Sequence, residues 1–191
     1  MRPLVYQGGL AAYAFYAVVG AWALGELALQ VATRSDESRD PSYAWMIAGS
    51  ALGVALAFRA AGSGRRLPGS GDPPVAVGIA LIVAGMALRA WSVRTLGRYF
   101  RVTVGVEQNQ PLVDTGPYGL VRHPSYTGFL ISCLGLGVAL DSWLSVVFAL
   151  VLPTIGVLRR IGHEEATLRR ELGAPYERYA RRTRRLVPGI W

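Results

Sequence analysis

The stretch that decides the fold is RHPSYTG, residues 122–128, which leads directly into a strongly apolar run. That run covers residues 124–140, and after Asp141 and Ser142 a second one covers residues 143–158. Two apolar runs separated by only two polar residues predict a tight helical hairpin. Polar groups at the mouth of a membrane helix are costly unless they bind something, so the same stretch marks a candidate site.

The composition is that of an integral membrane protein. Of the 191 residues, 52% are hydrophobic and only 17% are charged, below the roughly 25% of a soluble domain. Three further apolar runs, at 4–32, 43–61 and 74–93, approach or exceed the about 20 residues that a span requires. We therefore expect an all-α, polytopic membrane helical bundle of about five transmembrane helices. A three-helix membrane region over 1–93 would precede a catalytic region over 94–191.

The basic residues cluster beside the apolar runs. The formal net charge is +8, and residues 159–191 form a basic tail in which Gly173 and Pro175 predict a break between two helical pieces. We expect this tail to contact anionic lipid headgroups, with no nucleic-acid partner. The positive-inside rule then places the tail and the linker 94–123 in the cytosol, so the candidate site faces that side.

Three features inside the apolar runs bear on helix packing and helix geometry. Gly49 and Gly53 have the spacing of a close helix–helix contact, although a glycine-rich chain produces such spacings by chance. Pro153 predicts a kink in the fifth helix that can open a cavity. The single Cys133 excludes an internal disulfide and a Cys-based metal site, and we expect it only to pack. We expect no metal.

Two polar clusters flank the hairpin, one at residues 110–126 and one at residues 160–165. The hairpin brings both to one membrane face, where they would form a pocket. Pro124 suits the first position of a helix, whose N-terminus favours an anionic group. Glu164 could accept hydrogen bonds from ribose hydroxyls or pair with an ammonium group, and Arg160 could fork onto a carboxylate. The simpler alternative is that Arg122 and Arg160 only snorkel to lipid phosphates.

The order of these pieces resembles the isoprenylcysteine carboxyl methyltransferase family. The shared pattern is RHPxYxG, a helical hairpin, R-x3-EE-x2-L and then G-x2-Y, over about the last half of the chain. The residues that carry it are Leu96–Phe100, Leu112–Tyr118, Val121–Gly128, Arg160, Glu164–Leu168, Gly173–Tyr176 and Tyr179.

The resemblance implies a methyltransferase that uses S-adenosylmethionine and lies in a prokaryotic cytoplasmic membrane. Arg160 would be the catalytic residue and, with Arg122, would hold the acceptor carboxylate of an isoprenylcysteine-like, lipophilic substrate. The chain departs from the family after Phe100, where a polar Asn-His segment is absent, and Gln108 is a candidate replacement. By analogy the cofactor site would comprise Gln110, Pro111, Leu112, Val113, Tyr118, His123, Pro124, Ser125, Tyr126 and Glu164.

A carboxylate acceptor would need no general base, because it is already ionised near neutral pH. Alignment and desolvation of the two reactants would supply most of the catalysis. The alternatives are a steroid-reductase-like NADPH enzyme, methylation of a lipid amine or small thiol, and a non-enzymatic lipid-binding protein. Ser125 and Phe129 stand where the reductases typically have Asn and Glu, which favours methyl transfer.

Overall fold

The computed structural model describes residues 4–33, 41–62, 66–68, 72–101 and 111–191. The expected all-α membrane bundle is confirmed within these residues. Four of the helices described there, the first three and the fifth, are long and apolar enough to cross a membrane. The helices are α1 (Leu10–Ala32), α2 (Pro41–Ala60), α3 (Asp72–Leu96), α4 (Pro124–Ala139), α5 (Trp143–Leu172) and α6 (Ala174–Arg182).

Helix α4 is too short to cross the hydrocarbon core of a bilayer. Its 16 residues reach about 24 Å at 1.5 Å per residue, against a core of about 30 Å. The count of about five spans therefore becomes four long helices and one short apolar helix. If the end of α4 reaches one face of the hydrocarbon core, a recess remains between its first residue and the other face, and the residues before Pro124 would lie in that recess.

Helix α5 is much longer than the sequence predicted. We expected it to end near residue 158, which is wrong: its 30 residues continue to Leu172. The continuation is rich in Arg, Glu and Leu, which are good helix formers in water, so the helix does not stop where the apolar run stops. It ends at Gly173, whose φ of 57° lies in the left-handed region that glycine adopts without strain. Arg160 and Glu164 consequently stand on a rigid helix.

The predicted hairpin between α4 and α5 is confirmed. Pro124 occupies the first turn of α4, where its missing N–H costs no hydrogen bond. Leu140 and Asp141 make the turn, and the Ser142 side chain accepts from the backbone N–H of Ser145 to cap α5. The two helices therefore run antiparallel, and the start of α4 lies level with the second half of α5.

The Gly49–Gly53 pair is a real helix–helix contact between α2 and α5. A Cβ atom added at Gly53 would lie 2.7 Å from the carbonyl oxygen of Phe148 and 2.9 Å from Cδ of Pro153. A Cβ atom at Gly49 would lie 3.0 Å from the carbonyl oxygen of Leu152. The glycines thus allow α2 to pack on the backbone of α5, which remains helical through Pro153.

Helices α3 and α4 also meet through glycines. A Cβ atom added at Gly128 would lie 2.6 Å from the carbonyl oxygen of Gly85 and 2.9 Å from the backbone nitrogen of Arg89. No side chain fits between the two backbones at this crossing. The last residue of the RHPSYTG stretch therefore brings Arg89 of α3 beside the first turn of α4.

Because residues 159–172 belong to α5, the tail is from here on residues 173–191. It folds back over the start of α4. The backbone N–H of Arg122 donates to the carbonyl of Arg184 over 2.7 Å, and that of His123 donates to the carbonyl of Arg185 over 3.0 Å. The Thr127 hydroxyl donates to the carbonyl of Leu186 over 2.8 Å. These bonds satisfy polar backbone groups at the recess and cover it with the tail.

The short helix α6 packs on the protein by its aromatic side. Tyr176 and Tyr179 are buried, and the Tyr179 hydroxyl donates to the carbonyl of Tyr118 over 2.7 Å. The sequence analysis expects the tail that carries these tyrosines to contact lipid headgroups. They instead pack inward, because burying each ring and pairing one hydroxyl with the linker stabilises the fold-back.

Candidate active site

A cavity of about 430 Å³ lies at the membrane face where α3 ends and α4 begins. Its volume is within the roughly 300–1,000 Å³ of small-molecule pockets. All six α-helices and the linker contribute lining residues, so the walls of the cavity come from both sides of the predicted boundary at residue 93. The division into two regions stays a prediction.

Most of the predicted site residues meet in this cavity. Pro124 is buried at the start of α4 and does not line the cavity, so its position there is structural. Gln110 and the alternative Gln108 lie outside the described residues, as does most of the segment after Phe100. The predicted residues that line the cavity are Pro111, Leu112, Val113, Tyr118, Arg122, His123, Ser125, Tyr126, Arg160 and Glu164.

Tyr126 links the two charged groups predicted for the two reactants. Its hydroxyl donates to a carboxylate oxygen of Glu164 over 2.9 Å. The same hydroxyl accepts from Nε of Arg160 over 3.3 Å. Glu164 and Arg160 are one helical turn apart on α5, which places both on the same face. The predicted donor side and the predicted acceptor side are thus joined by one side chain of the RHPSYTG stretch.

Arg160 is almost fully buried at the cavity wall, with 1% of its surface exposed. Its Nη1 donates to the hydroxyl of Ser42 over 3.1 Å, and its guanidinium lies 5.7 Å from the ring centre of Tyr43. These contacts tie α5 to the first turn of α2. A snorkelling arginine would extend its head toward lipid phosphates, whereas this one turns toward protein partners inside the bundle.

Glu165, next to Glu164, is fully buried and surrounded by cations. Nε of Arg122 lies 2.9 Å from Oε1, and Nη2 of Arg185 lies 2.9 Å from Oε2. Nη2 of Arg169 contacts Oε2 over 3.1 Å, and Nε2 of His123 lies 3.4 Å from Oε1. We call these five residues the Glu165 cluster. It ties α5, the start of α4 and the tail together.

The Glu165 cluster gives Arg122 a structural role. Besides Glu165, its Nη1 contacts the carbonyl oxygens of Ala180, over 2.9 Å, and of Thr183. Arg122 lines the cavity, but these contacts hold its guanidinium on α5 and the tail. Its predicted contact with a substrate carboxylate stays a prediction. Only Arg169 lies one helical turn from Glu165 in the sequence, and the other partners are distant along the chain.

His123 stands between the two glutamates. Its Nδ1 lies 3.9 Å from Oε1 of Glu164, and its Nε2 faces Glu165. The imidazole is 4% exposed and stacks on the Tyr126 ring at a centroid distance of 5.7 Å. The ring therefore holds Tyr126 in place from one side while Glu164 holds it from the other.

The linker contributes a neutral aromatic wall. Burial raises the pKa of the Tyr118 phenol and of the Tyr179 phenol well above the ordinary value of 10.0. Both phenols therefore stay protonated at physiological pH. Tyr118 presents a ring and an uncharged hydroxyl to the cavity, which suits a flat heterocycle more than a metal or a bare anion.

Sequence reasoning missed a second charged pair in the cavity wall. Arg89 of α3 and Glu26 of α1 make a two-point contact, with Nε–Oε1 at 2.6 Å and Nη2–Oε2 at 2.7 Å. Arg89 Nη1 also donates to the Ser125 hydroxyl over 2.8 Å. Ionisable residues inside membrane helices mark functional sites by default. One arginine and one glutamate within apolar runs were the signal, but nothing in the sequence paired them.

The fold and the cavity define a class: an integral membrane protein of the helical type with a small-molecule site that opens at one membrane face. The comparison with protein families narrows this class of protein. Residues 77–170 match the isoprenylcysteine carboxyl methyltransferase (ICMT) family. The matching part of the chain carries most of α3, all of α4 and most of α5, and it contains the motifs on which the sequence resemblance was based.

Two individual relatives carry names that agree with this family match. A probable protein-S-isoprenylcysteine O-methyltransferase of Oryza sativa subsp. indica is 38% identical over 117 residues, which are 60% of this chain and 61% of the relative. The protein-S-isoprenylcysteine O-methyltransferase of Schizosaccharomyces pombe is 35% identical over 59% of this chain and 48% of its own length. The chain thus matches at most about three fifths of these relatives.

A third relative has a different kind of name. The cobalt-zinc-cadmium resistance protein CzcN of Cupriavidus metallidurans is 34% identical over 52% of this chain and 46% of its own length. Among the residues described here, no group of three or more His, Cys, Asp or Glu side chains could hold a metal ion.

Proposed function

We propose that the protein is an S-adenosylmethionine-dependent methyltransferase that methylates a carboxylate of a lipophilic, isoprenylcysteine-like substrate. The single observation that carries the proposal is the Glu164–Tyr126–Arg160 chain of hydrogen bonds. It places a carboxylate suited to the donor and a guanidinium suited to the acceptor within one cavity. The family match over residues 77–170 and the relatives' names support the reaction class.

The donor side fits a cationic, ribose-bearing molecule. The Glu164 side chain is 30% exposed, so its carboxylate can reach ribose hydroxyls or a positive group. Pro111, Leu112 and Val113 supply apolar contacts from the linker, and the neutral Tyr118 adds a ring. When bound there, S-adenosylmethionine would supply an electrophilic methyl group. The chain's part is to bind and orient that molecule and to exclude water from it.

The acceptor side is organised around Arg160. A guanidinium forms paired hydrogen bonds with a carboxylate, which fixes the direction of the oxygen atoms. Because a carboxylate is ionised near neutral pH, no residue needs to remove a proton from it. Arg160 would hold the nucleophile in line with the methyl group, and alignment and desolvation would lower the barrier. Tyr126 would hold Arg160 and Glu164 at a fixed separation during the transfer.

The site would face the cytosol of a prokaryotic cell. Arg94, Arg98 and Arg101 follow the membrane part of α3, and the arginines of α6 lie on the same face of the bundle. This excess of positive charge is typical of the cytoplasmic side. The methyl donor would then enter from water while the apolar part of the acceptor stays within the bilayer.

The direct test is binding of radiolabelled S-adenosylmethionine to the purified protein in detergent. We expect saturable binding, and a Glu164→Gln variant should bind roughly tenfold or more weakly because hydrogen bonds to a charged carboxylate are lost. Glu171→Gln, an exposed glutamate of the same helix, is the matched control. Undiminished binding and activity in an Arg160→Ala, Glu164→Ala double variant would exclude these residue assignments.

The alternatives give different results in the same preparation. A steroid-reductase-like enzyme would bind NADPH and not the labelled methyl donor. Transfer of label to a lipid amine or to a small thiol, in preference to a prenylcysteine analogue, would replace the acceptor named above. A lipid-binding protein without enzymatic activity would bind neither cofactor.

A further inference from the structure

The arginines of the tail fall into two groups. Arg182 and Arg185 are ion-paired, the first with an acid of the linker and the second with an acid of α5. Arg178, Arg181 and Arg184 are exposed, and no carboxylate of the described residues lies within ion-pair distance of them. Positions 178 and 181 are one turn apart on α6, so their side chains share a face of that helix. These three charges are available to an anion outside the protein.

An exposed apolar turn follows these arginines. The backbone N–H groups of Leu186 and Val187 both donate to the carbonyl of Trp191, over 2.9 and 3.0 Å, and so close the turn. We call residues 187–191 the apolar turn. Val187 is 44% exposed, Ile190 is 78% exposed and Trp191 is 42% exposed. Three large apolar side chains exposed within five residues form a patch, and such patches mark protein or membrane interaction sites.

The fold-back of the tail brings both features to the edge of the bilayer. The polar part of α5, residues 159–172, extends about 21 Å past the apolar run at 1.5 Å per residue, and the tail then returns toward α4. Backbone groups of residues 184–186 are hydrogen-bonded to Arg122, His123 and Thr127, where the apolar run of α4 begins. Arginine together with tryptophan and isoleucine suits the headgroup layer at that height.

We propose that Arg178, Arg181, Arg184 and the apolar turn form a docking surface for anionic phospholipids of the surrounding bilayer, and that docking holds the tail against the start of α4. The charges are complementary, because each basic residue near an anionic lipid surface strengthens binding about fivefold. The apolar turn supplies the part that enters the acyl boundary. The inference concerns the tail and does not depend on which reaction the cavity performs.

Two backbone hydrogen bonds report whether the tail is closed. The N–H of Arg122 donates to the carbonyl of Arg184 over 2.7 Å, and the N–H of His123 donates to the carbonyl of Arg185 over 3.0 Å. Both N–H groups exchange with solvent when the tail opens, so their exchange rate measures the opening equilibrium. A lipid surface that binds only the closed tail lowers that rate by mass action.

Hydrogen exchange of the full chain in nanodiscs tests the proposal. Peptides that contain Arg122 and His123 are followed by mass spectrometry, in phosphatidylcholine alone and with roughly one third phosphatidylglycerol. We expect exchange to be about tenfold or more slower with phosphatidylglycerol. The triple variant Arg178→Gln, Arg181→Gln, Arg184→Gln should exchange equally fast in both lipids.

The control variant carries Arg59→Gln and Arg170→Gln. Arg59 is exposed in the last turn of α2, and Arg170 is exposed and paired with its neighbour Glu171. This variant should keep most of the lipid dependence. Loss of that dependence in the control would show a general effect of net charge, and equal exchange of the unmodified protein in both lipids would show that its tail ignores lipid charge. Either result overturns the docking surface.

Two further measurements separate the source of the anion and the role of the apolar turn. Inorganic phosphate added to phosphatidylcholine nanodiscs should not slow exchange, and the same protection from soluble phosphate would overturn docking on the bilayer. Ile190→Ser should accelerate exchange several-fold in both lipids, because insertion of an apolar side chain needs no lipid charge. Unchanged exchange in this variant would overturn the part assigned to the apolar turn.

Discussion

Two neighbouring glutamates on α5 belong to regions of opposite character. Glu164 opens onto the cavity with 30% of its side chain exposed, and its recorded hydrogen-bond donor is the Tyr126 hydroxyl. Glu165 is fully buried in the Glu165 cluster, with three arginines and His123 around it. Adjacent positions on a helix point about 100° apart, so one backbone segment serves both regions.

The difference shows that neighbouring residues of a short motif can have separate roles, one in holding helices together and one in facing the cavity. A carboxylate with many fixed cationic partners holds structural elements together, because its charge is already compensated. A carboxylate that faces a cavity and accepts a hydrogen bond from a neutral hydroxyl retains the capacity to bind a ligand. The RHPSYTG stretch is divided likewise, since Arg122 joins the Glu165 cluster and Tyr126 joins the cavity.

Glu165→Ala tests the structural role of the Glu165 cluster, and we expect the largest effect from this variant. The change leaves Arg122 and Arg185 without their buried counter-charge, and removing one partner from a buried charge network costs about 3–5 kcal/mol. We expect a large drop in the midpoint of thermal unfolding and rapid proteolysis within the tail. Glu164→Ala is the control and should unfold near the midpoint of the unmodified protein. Equal midpoints for the two variants would contradict the division.

Arg160→Lys tests the proposed role of the cavity residues in binding the acceptor. Lysine retains the charge but loses the planar fork that aligns a carboxylate, so kcat/KM for a prenylcysteine analogue should fall about 10- to 100-fold. The dissociation constant of the methyl donor should change little, because Arg160 reaches it only through Tyr126. Steady-state kinetics and donor binding on the same preparation check this. A parallel loss of donor affinity would place Arg160 on the donor side.

The smallest expected effect comes from the edge of the tail. Thr127→Val removes the hydroxyl that donates to the Leu186 carbonyl and keeps the shape of the side chain. One hydrogen bond of this kind contributes about 1 kcal/mol. Limited proteolysis of the tail should accelerate about fivefold, with donor affinity unchanged. If donor affinity fell as strongly as in Glu164→Gln, the tail and the cavity could not be treated as separate regions.

Much of the fold could be predicted from the sequence. The hairpin followed from two apolar runs joined by Asp141 and Ser142, and the meeting of Arg160 and Glu164 with the RHPSYTG stretch followed from that hairpin. The length of α5 could not be read from hydropathy, because residues 159–172 are polar and yet good helix formers. The end of the apolar run marks where the helix leaves the hydrocarbon core, which is a different boundary from the end of the helix.

The Glu26–Arg89 pair in the cavity wall could not be predicted from the sequence, for another reason. Glu26 and Arg89 are 63 positions apart, and each is the single charged residue of its apolar run. Their pairing depends on the glycine contact between α3 and α4 and on the placement of α1. Likewise, the burial of Glu165 depends on a tail that folds back, which no local pattern encodes. Pairs of charges that are distant in sequence require the packing to be known first.

The shortness of α4 has a consequence for the energetics of substrate delivery. A helix about 6 Å shorter than the hydrocarbon core favours a locally thinner bilayer beside it. A hydrocarbon tail can then reach the cavity without leaving the bilayer, and each methylene that stays in hydrocarbon avoids a hydration cost of about 0.8 kcal/mol. For the acceptor proposed above, the depth of the recess would couple the binding affinity to the acyl-chain length of the surrounding lipids.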